Sequence, residues 1–81
     1  MRDLIIKTIS KVFEVPTAQI NDDSSPRTTA SWDSLNHMKL ILALEEEFGI
    51  MFSDEQIIEL LTVRKIIAAL ENLVAEAGMY R

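Results

Sequence analysis

Apolar residues recur along this chain with the spacing of helices. In the first stretch Ile5, Ile6, Ile9, Val12 and Phe13 fall on one face and Lys7, Thr8 and Lys11 on the other, which predicts an amphipathic helix over about residues 3–13. Pro16, which has no amide hydrogen and clashes with a carbonyl one turn back, is expected to end it. From Val15 to about Trp32 the chain turns polar, and Ile20 is its only large aliphatic residue after Val15. A connection this long is usually functional or disordered, so here it is expected to wrap across the bundle with Ile20 as a pin. A second helix is expected over 34–48, closed by Gly49 in a left-handed conformation. Ser53 and Gln56 form a capping-box pattern at the head of a short helix over 54–60. Thr62 caps a fourth helix over 63–77, in which Val63, Ile66, Ile67, Leu70, Leu73, Val74 and Ala77 share a face. The expected fold is all-α: one four-helix bundle, spanning 1–81, with a short third helix and a long loop between helices 1 and 2.

Composition narrows the functions available. At 81 residues there is room for one small core. A net charge of −5 argues against nucleic acid and anionic membranes, which recruit Lys and Arg clusters, and favours basic protein surfaces as partners. Without cysteine there is no disulfide, thiolate nucleophile or cysteine-based metal site. Met1 to Val15 mixes charged residues into its apolar ones, so it is not read as a secretory signal, and no stretch nears the roughly 18 apolar residues of a membrane span. A cytoplasmic monomer is the expectation.

The second helix carries two apolar stripes. Leu40, Ile41, Leu44 and Phe48 lie within about a third of a turn and suffice for the core. Leu35, Met38 and Leu42 form another row, rotated away, with Ser34, Glu45 and Glu46 at its edges. That row is either more core or a docking strip. Its start beside a serine and its acidic flank favour docking to a basic partner, and an unbranched thioether at Met38 adapts to differently shaped pockets.

A serine at a helix start is ordinarily a cap. Here Asp33 can supply the cap and leave the Ser34 hydroxyl free at the first turn. A phosphodiester on that oxygen would meet unpaired amides and the positive end of the helix dipole. Asp33-Ser34-Leu35 placed after a long loop, then Leu44-Glu45-Glu46-Glu47-Phe48-Gly49-Ile50, Phe52-Ser53-Asp54-Glu55 and Leu61-Thr62-Val63, resembles the acyl carrier proteins over essentially the whole chain. The resemblance implies a carrier and not an enzyme. A phosphopantetheinyl transferase, using coenzyme A and a divalent metal, would join 4′-phosphopantetheine to Ser34, next to Asp33, and acyl groups would ride on the arm's thiol. Leu35, Met38 and Leu42 with Glu45 and Glu46 would be read by the transferase and by acyl-loading, acyl-transferring or synthase enzymes. The inner stripe, with Ile57 and Ile66, would line a shelter for an acyl chain.

The chain departs from the fatty-acid carriers at three places. Asn36 and Lys39 stand where acids are common, and Ser31-Trp32 replaces small residues before the Asp-Ser pair. Partners outside the standard fatty-acid synthase are therefore expected. Trp32 reads as a core anchor for the loop, and His37, the only histidine, as a partly exposed helix residue with no second ligand for a metal. Asn21, Asp23 and Ser25 alternate like calcium ligands, but Pro26 and Trp32 fill positions that such a loop gives to Gly and Glu. Two other functions stay open at this level. One is a peptidyl or aminoacyl carrier of a nonribosomal pathway, against which stands the missing Gly-Gly before the serine pair. The other is an unmodified helical interaction module.

Overall fold

Each helix starts and stops on local chemistry, and the computed structural model of the chain describes that chemistry for residues 1–78, with Ala77 and Gly78 as backbone only. The expected place of Ala77 on the apolar face therefore lies outside the described side chains. Helix α1 runs Arg2–Phe13 and buries Ile5, Ile9 and Phe13, each four residues after the last. It ends at a point that Pro16 alone does not explain. Glu14 turns left-handed (φ 56°, ψ 44°), its amide bonds back to the Ser10 carbonyl, and the Val15 amide reaches the same oxygen at 3.2 Å. The proline acts upstream: it forces the residue before it out of helical geometry, so the chain must leave the helix by Glu14. Pro16 itself is extended and leads into a 3₁₀ turn at Thr17–Gln19.

Helix α2 spans Ser34–Phe48. Asp33 is its cap, in extended geometry, and its carboxylate accepts the Asn36 amide at 2.8 Å. Gly49 closes it at φ 65°, with its amide on the Glu45 carbonyl. Helix α3, Asp54–Glu59, starts at a complete capping box, in which Ser53 accepts the Gln56 amide and the Gln56 side chain accepts the Ser53 amide. Helix α4 covers Val63–Gly78, and the Thr62 hydroxyl accepts the Lys65 amide at 3.1 Å. Among the described residues there is no strand.

The core joins Ile5, Ile9 and Phe13 to Leu40, Ile41 and Leu44, closed beneath by Val63, Ile66 and Leu70. Ile20 packs against it from the long connection, as expected. That connection is fixed more firmly than one aliphatic pin explains. Ser24 is buried, and its hydroxyl accepts the Asn21 amide. The carbonyls of Ser24 and Asp22 accept the amides of Val63 and Arg64 at 3.1 and 3.0 Å, so loop backbone satisfies first-turn donors of α4 that have no partner within the helix. Arg2 and Arg64 pair with Asp22, and Arg64 also with Asp23. Asn21, Asp23 and Ser25 thus build turns within this connection: the Asn21 side chain accepts the Asp23 amide, and the Ser25 hydroxyl accepts that of Arg27.

Candidate functional site: the first turn of helix α2

With Asp33 already serving as the cap, the exposed Ser34 is free of that duty. Its amide and that of Leu35 occupy the first helical positions, where no carbonyl lies a turn behind them. An anion tethered to the Ser34 oxygen would stand against those amides and the positive end of α2. A cleft of about 360 Å³ opens beside it, lined by Pro26, Trp32, Asp33, Ser34, His37 and Leu61.

Beneath the serine lies a polar network that the chain's sequence does not advertise. The Trp32 indole Nε1–H donates to His37 Nδ1 at 3.0 Å, and His37 Nε2 lies 2.8 Å from the Ile57 carbonyl. An indole nitrogen can only donate and a carbonyl can only accept, so the tautomer that satisfies both carries its proton on Nε2. Trp32 is 2% exposed, with its ring 5.1 Å from that of Phe13 and 6.2 Å from that of His37. It is the core anchor that its sequence position suggests. His37 corrects an expectation: it is 9% exposed and buried, because its partners lie on the loop and on α3 and draw the ring inward. The Asn36 side chain donates to the Ser31 carbonyl at 2.8 Å, a bond that the carboxylate common in fatty-acid carriers has no hydrogen to make. Asn36, Trp32 and His37 therefore belong to one local device that holds the loop onto the start of α2.

The outer stripe is on the surface. Leu35, Met38 and Leu42 are 66%, 43% and 60% exposed, on the side of α2 that carries Ser34. Glu45 is half-buried, and its Oε2 accepts the Phe52 amide at 3.0 Å, which ties the α2–α3 connection and occupies one oxygen of a carboxylate assigned to docking. Glu46 is exposed and lines a separate cleft towards α1 with Lys11 and Lys39. Ile58, Met51 and Leu61 are further exposed apolar residues that sequence reading missed. The signal was the adjacent pair Ile57-Ile58, since consecutive residues lie 100° apart and a one-and-a-half-turn helix that buries a single edge turns one of the two outward. The inner stripe is closed: Leu40, Ile41, Leu44 and Ile66 are all buried in the core, so an acyl chain finds shelter there only if they part.

A family model described as the phosphopantetheine attachment site matches residues 3–70. The acyl carrier protein of Buchnera aphidicola subsp. Schizaphis graminum is 41% identical over 68 residues, which cover 84% of this chain and 86% of that one. The chain belongs to the acyl carrier protein family. It is thus a carrier of acyl groups on a covalently attached 4′-phosphopantetheine, and the unmodified interaction module is set aside. An acyl carrier protein homolog of Mycoplasma pneumoniae is 30% identical over 82 residues, 96% of each chain. In fold the carrier superposes on the solution structure of the holo acyl carrier protein from Geobacter metallireducens with a TM-score of 0.88, across 99% of this chain and 92% of that one, at 24% identity. Among its described residues no helix is long and apolar enough to cross a membrane.

Proposed function

We propose that the Ser34 hydroxyl is the attachment point of the arm, and that Leu35, Met38 and Leu42 with Glu45 and Glu46 are the surface read by the phosphopantetheinyl transferase and by acyl-loading and acyl-transferring enzymes. One observation carries the reading: an exposed serine at the head of α2 whose capping duty Asp33 has taken over. In the attachment step the Ser34 oxygen bonds to the phosphorus that bears pantetheine in coenzyme A. The bond from that phosphorus to the bridging oxygen breaks, adenosine bisphosphate leaves, and the serine proton passes to a base of the transferase. The arm supplies a thiol for thioesters. The chain's own residues supply the anchor, the amides that face the phosphodiester and the docking surface, with no catalysis of their own. We place this exchange in the cytoplasm, with the carrier acting as a monomer.

Lys39 and Asn36 bear on which enzymes dock. An exposed Lys39 beside the apolar strip favours a partner that presents an acidic or neutral side chain there, because rim charges set partner choice and encounter rate. Intact mass after incubation with coenzyme A, magnesium and a broad-specificity transferase tests the anchor. The native chain gains one arm and Ser34→Ala gains none; a gain that survives Ser34→Ala moves the anchor elsewhere.

A further inference from the structure

Cargo tethered at Ser34 starts in the cleft that Ser34 shares with Trp32, His37 and Leu61, and His37 bridges α2 to α3 on the inward side of that cleft. It lies one turn beyond Ser34 on the inward side of α2, and its ring spans to the Ile57 carbonyl of α3 at 2.8 Å. That carbonyl needs the bond. Helix α3 ends at Glu59, and the Leu61 amide, which would serve Ile57 in a longer helix, bonds to Glu59 instead. From the other side Trp32, buried and backed by Phe13, holds His37 in place by its indole N–H. Parting α2 from α3 leaves a carbonyl and a ring nitrogen without partners in apolar surroundings, which is unfavourable.

We propose that Trp32, His37 and the Ile57 carbonyl form a clasp that keeps the carrier's acyl group out of the core, so that His37 is a specificity-determining residue and the cargo is a short or polar acyl group. The inference rests on Ser34 as the anchor. A long alkyl chain left outside would keep much of its apolar surface in water, since the carrier offers it only an open cleft and an exposed strip and no enclosed pocket. A short or hydroxylated group loses little in the open cleft of Trp32, His37 and Leu61.

The chain has no cysteine, so Ser34→Cys provides one chemical handle that needs no transferase. The cysteine is alkylated with maleimides that carry either a methyl or a decyl chain on a pantetheine-length spacer. Within each background the two adducts are compared by melting temperature and by methyl shifts of Leu40, Ile41, Leu44 and Ile66. With the clasp intact, decyl and methyl adducts melt together and the core methyls coincide. With His37→Ala or Trp32→Phe, the decyl adduct melts several degrees above the methyl adduct and the core methyls move. Each comparison is internal, so the destabilisation caused by His37→Ala cancels, and Trp32→Phe decides the matter if His37→Ala does not fold. Core shifts by the decyl chain in the clasped protein overturn the proposal. So does the absence of such shifts in the folded unclasped variants. Failed enzymatic attachment at Ser34 is read separately, by mass on the native chain.

Discussion

The two sides of α2 are nearly equal in apolar content and opposite in fate. Leu44 is fully buried while Leu42, two residues earlier, is 60% exposed; Ile41 is buried while Met38, one turn before it, is open. Residue type does not decide this. Position does, because 100° per residue turns Leu40, Ile41 and Leu44 towards α1 and α4 and turns Leu35, Met38 and Leu42 away from them. The inner side stabilises the fold and admits little change, whereas the outer side contributes almost nothing to it and is free to serve partners. The Ser34 hydroxyl belongs to the outer side, and His37, three residues on, belongs to the inner one.

The contrast breaks most sharply under truncation of a leucine on each side. Leu44→Ala removes a fully buried side chain from a packed core and is expected to cost about 2–5 kcal/mol. Against a total of roughly 5–15 kcal/mol for a small domain, that is a large fraction of its stability. Leu42→Ala is expected to change stability by no more than about 0.5 kcal/mol. Urea denaturation of both variants measures the difference. Equal losses would mean that the outer stripe is structural after all.

Much of this arrangement is legible in the sequence, for a physical reason. The caps at Asp33, Ser53 and Thr62 and the left-handed stop at Gly49 are bonds between residues three or four apart, so spacing reveals them. The two stripes are visible on the same ground. What escaped depends on distant partners. His37 meets a carbonyl 20 residues away, on a helix whose end had to be located first. The carbonyls of Asp22 and Ser24 reach the start of α4 as backbone acceptors, which every residue carries, so no side chain betrays them. Glu14 escaped because a left-handed turn without glycine leaves no mark in composition.

Asp33 sits where the two sides meet, and its replacement sharpens the division of labour at the serine. Asp33→Ala removes the acceptor of the Asn36 amide and is expected to cost about 1 kcal/mol, seen as a lower melting temperature. Ser34→Ala is expected to leave the melting temperature within about a degree, since the hydroxyl is exposed and the cap lies elsewhere. The reverse order would make Ser34 the cap and remove the reason for its freedom.

The smallest effect is expected on the outer strip, and it is kinetic. Met38→Glu exchanges one good helix former for another at a 43% exposed position, so helix content and melting temperature are expected to hold. A charge in the middle of the apolar row desolvates poorly against a partner's apolar patch, and that cost outweighs the attraction of one more carboxylate to a basic rim. The expected result is a slowing of transferase kcat/KM by roughly fivefold, about 1 kcal/mol, the scale of a peripheral interface contact. The loss should lie in KM, because the residue is remote from the bonds that change. Measurement at two ionic strengths separates the causes. An electrostatic contribution shrinks as salt screens it, while the loss of apolar contact does not. Unchanged kinetics at both salts would remove Met38 from the docking surface.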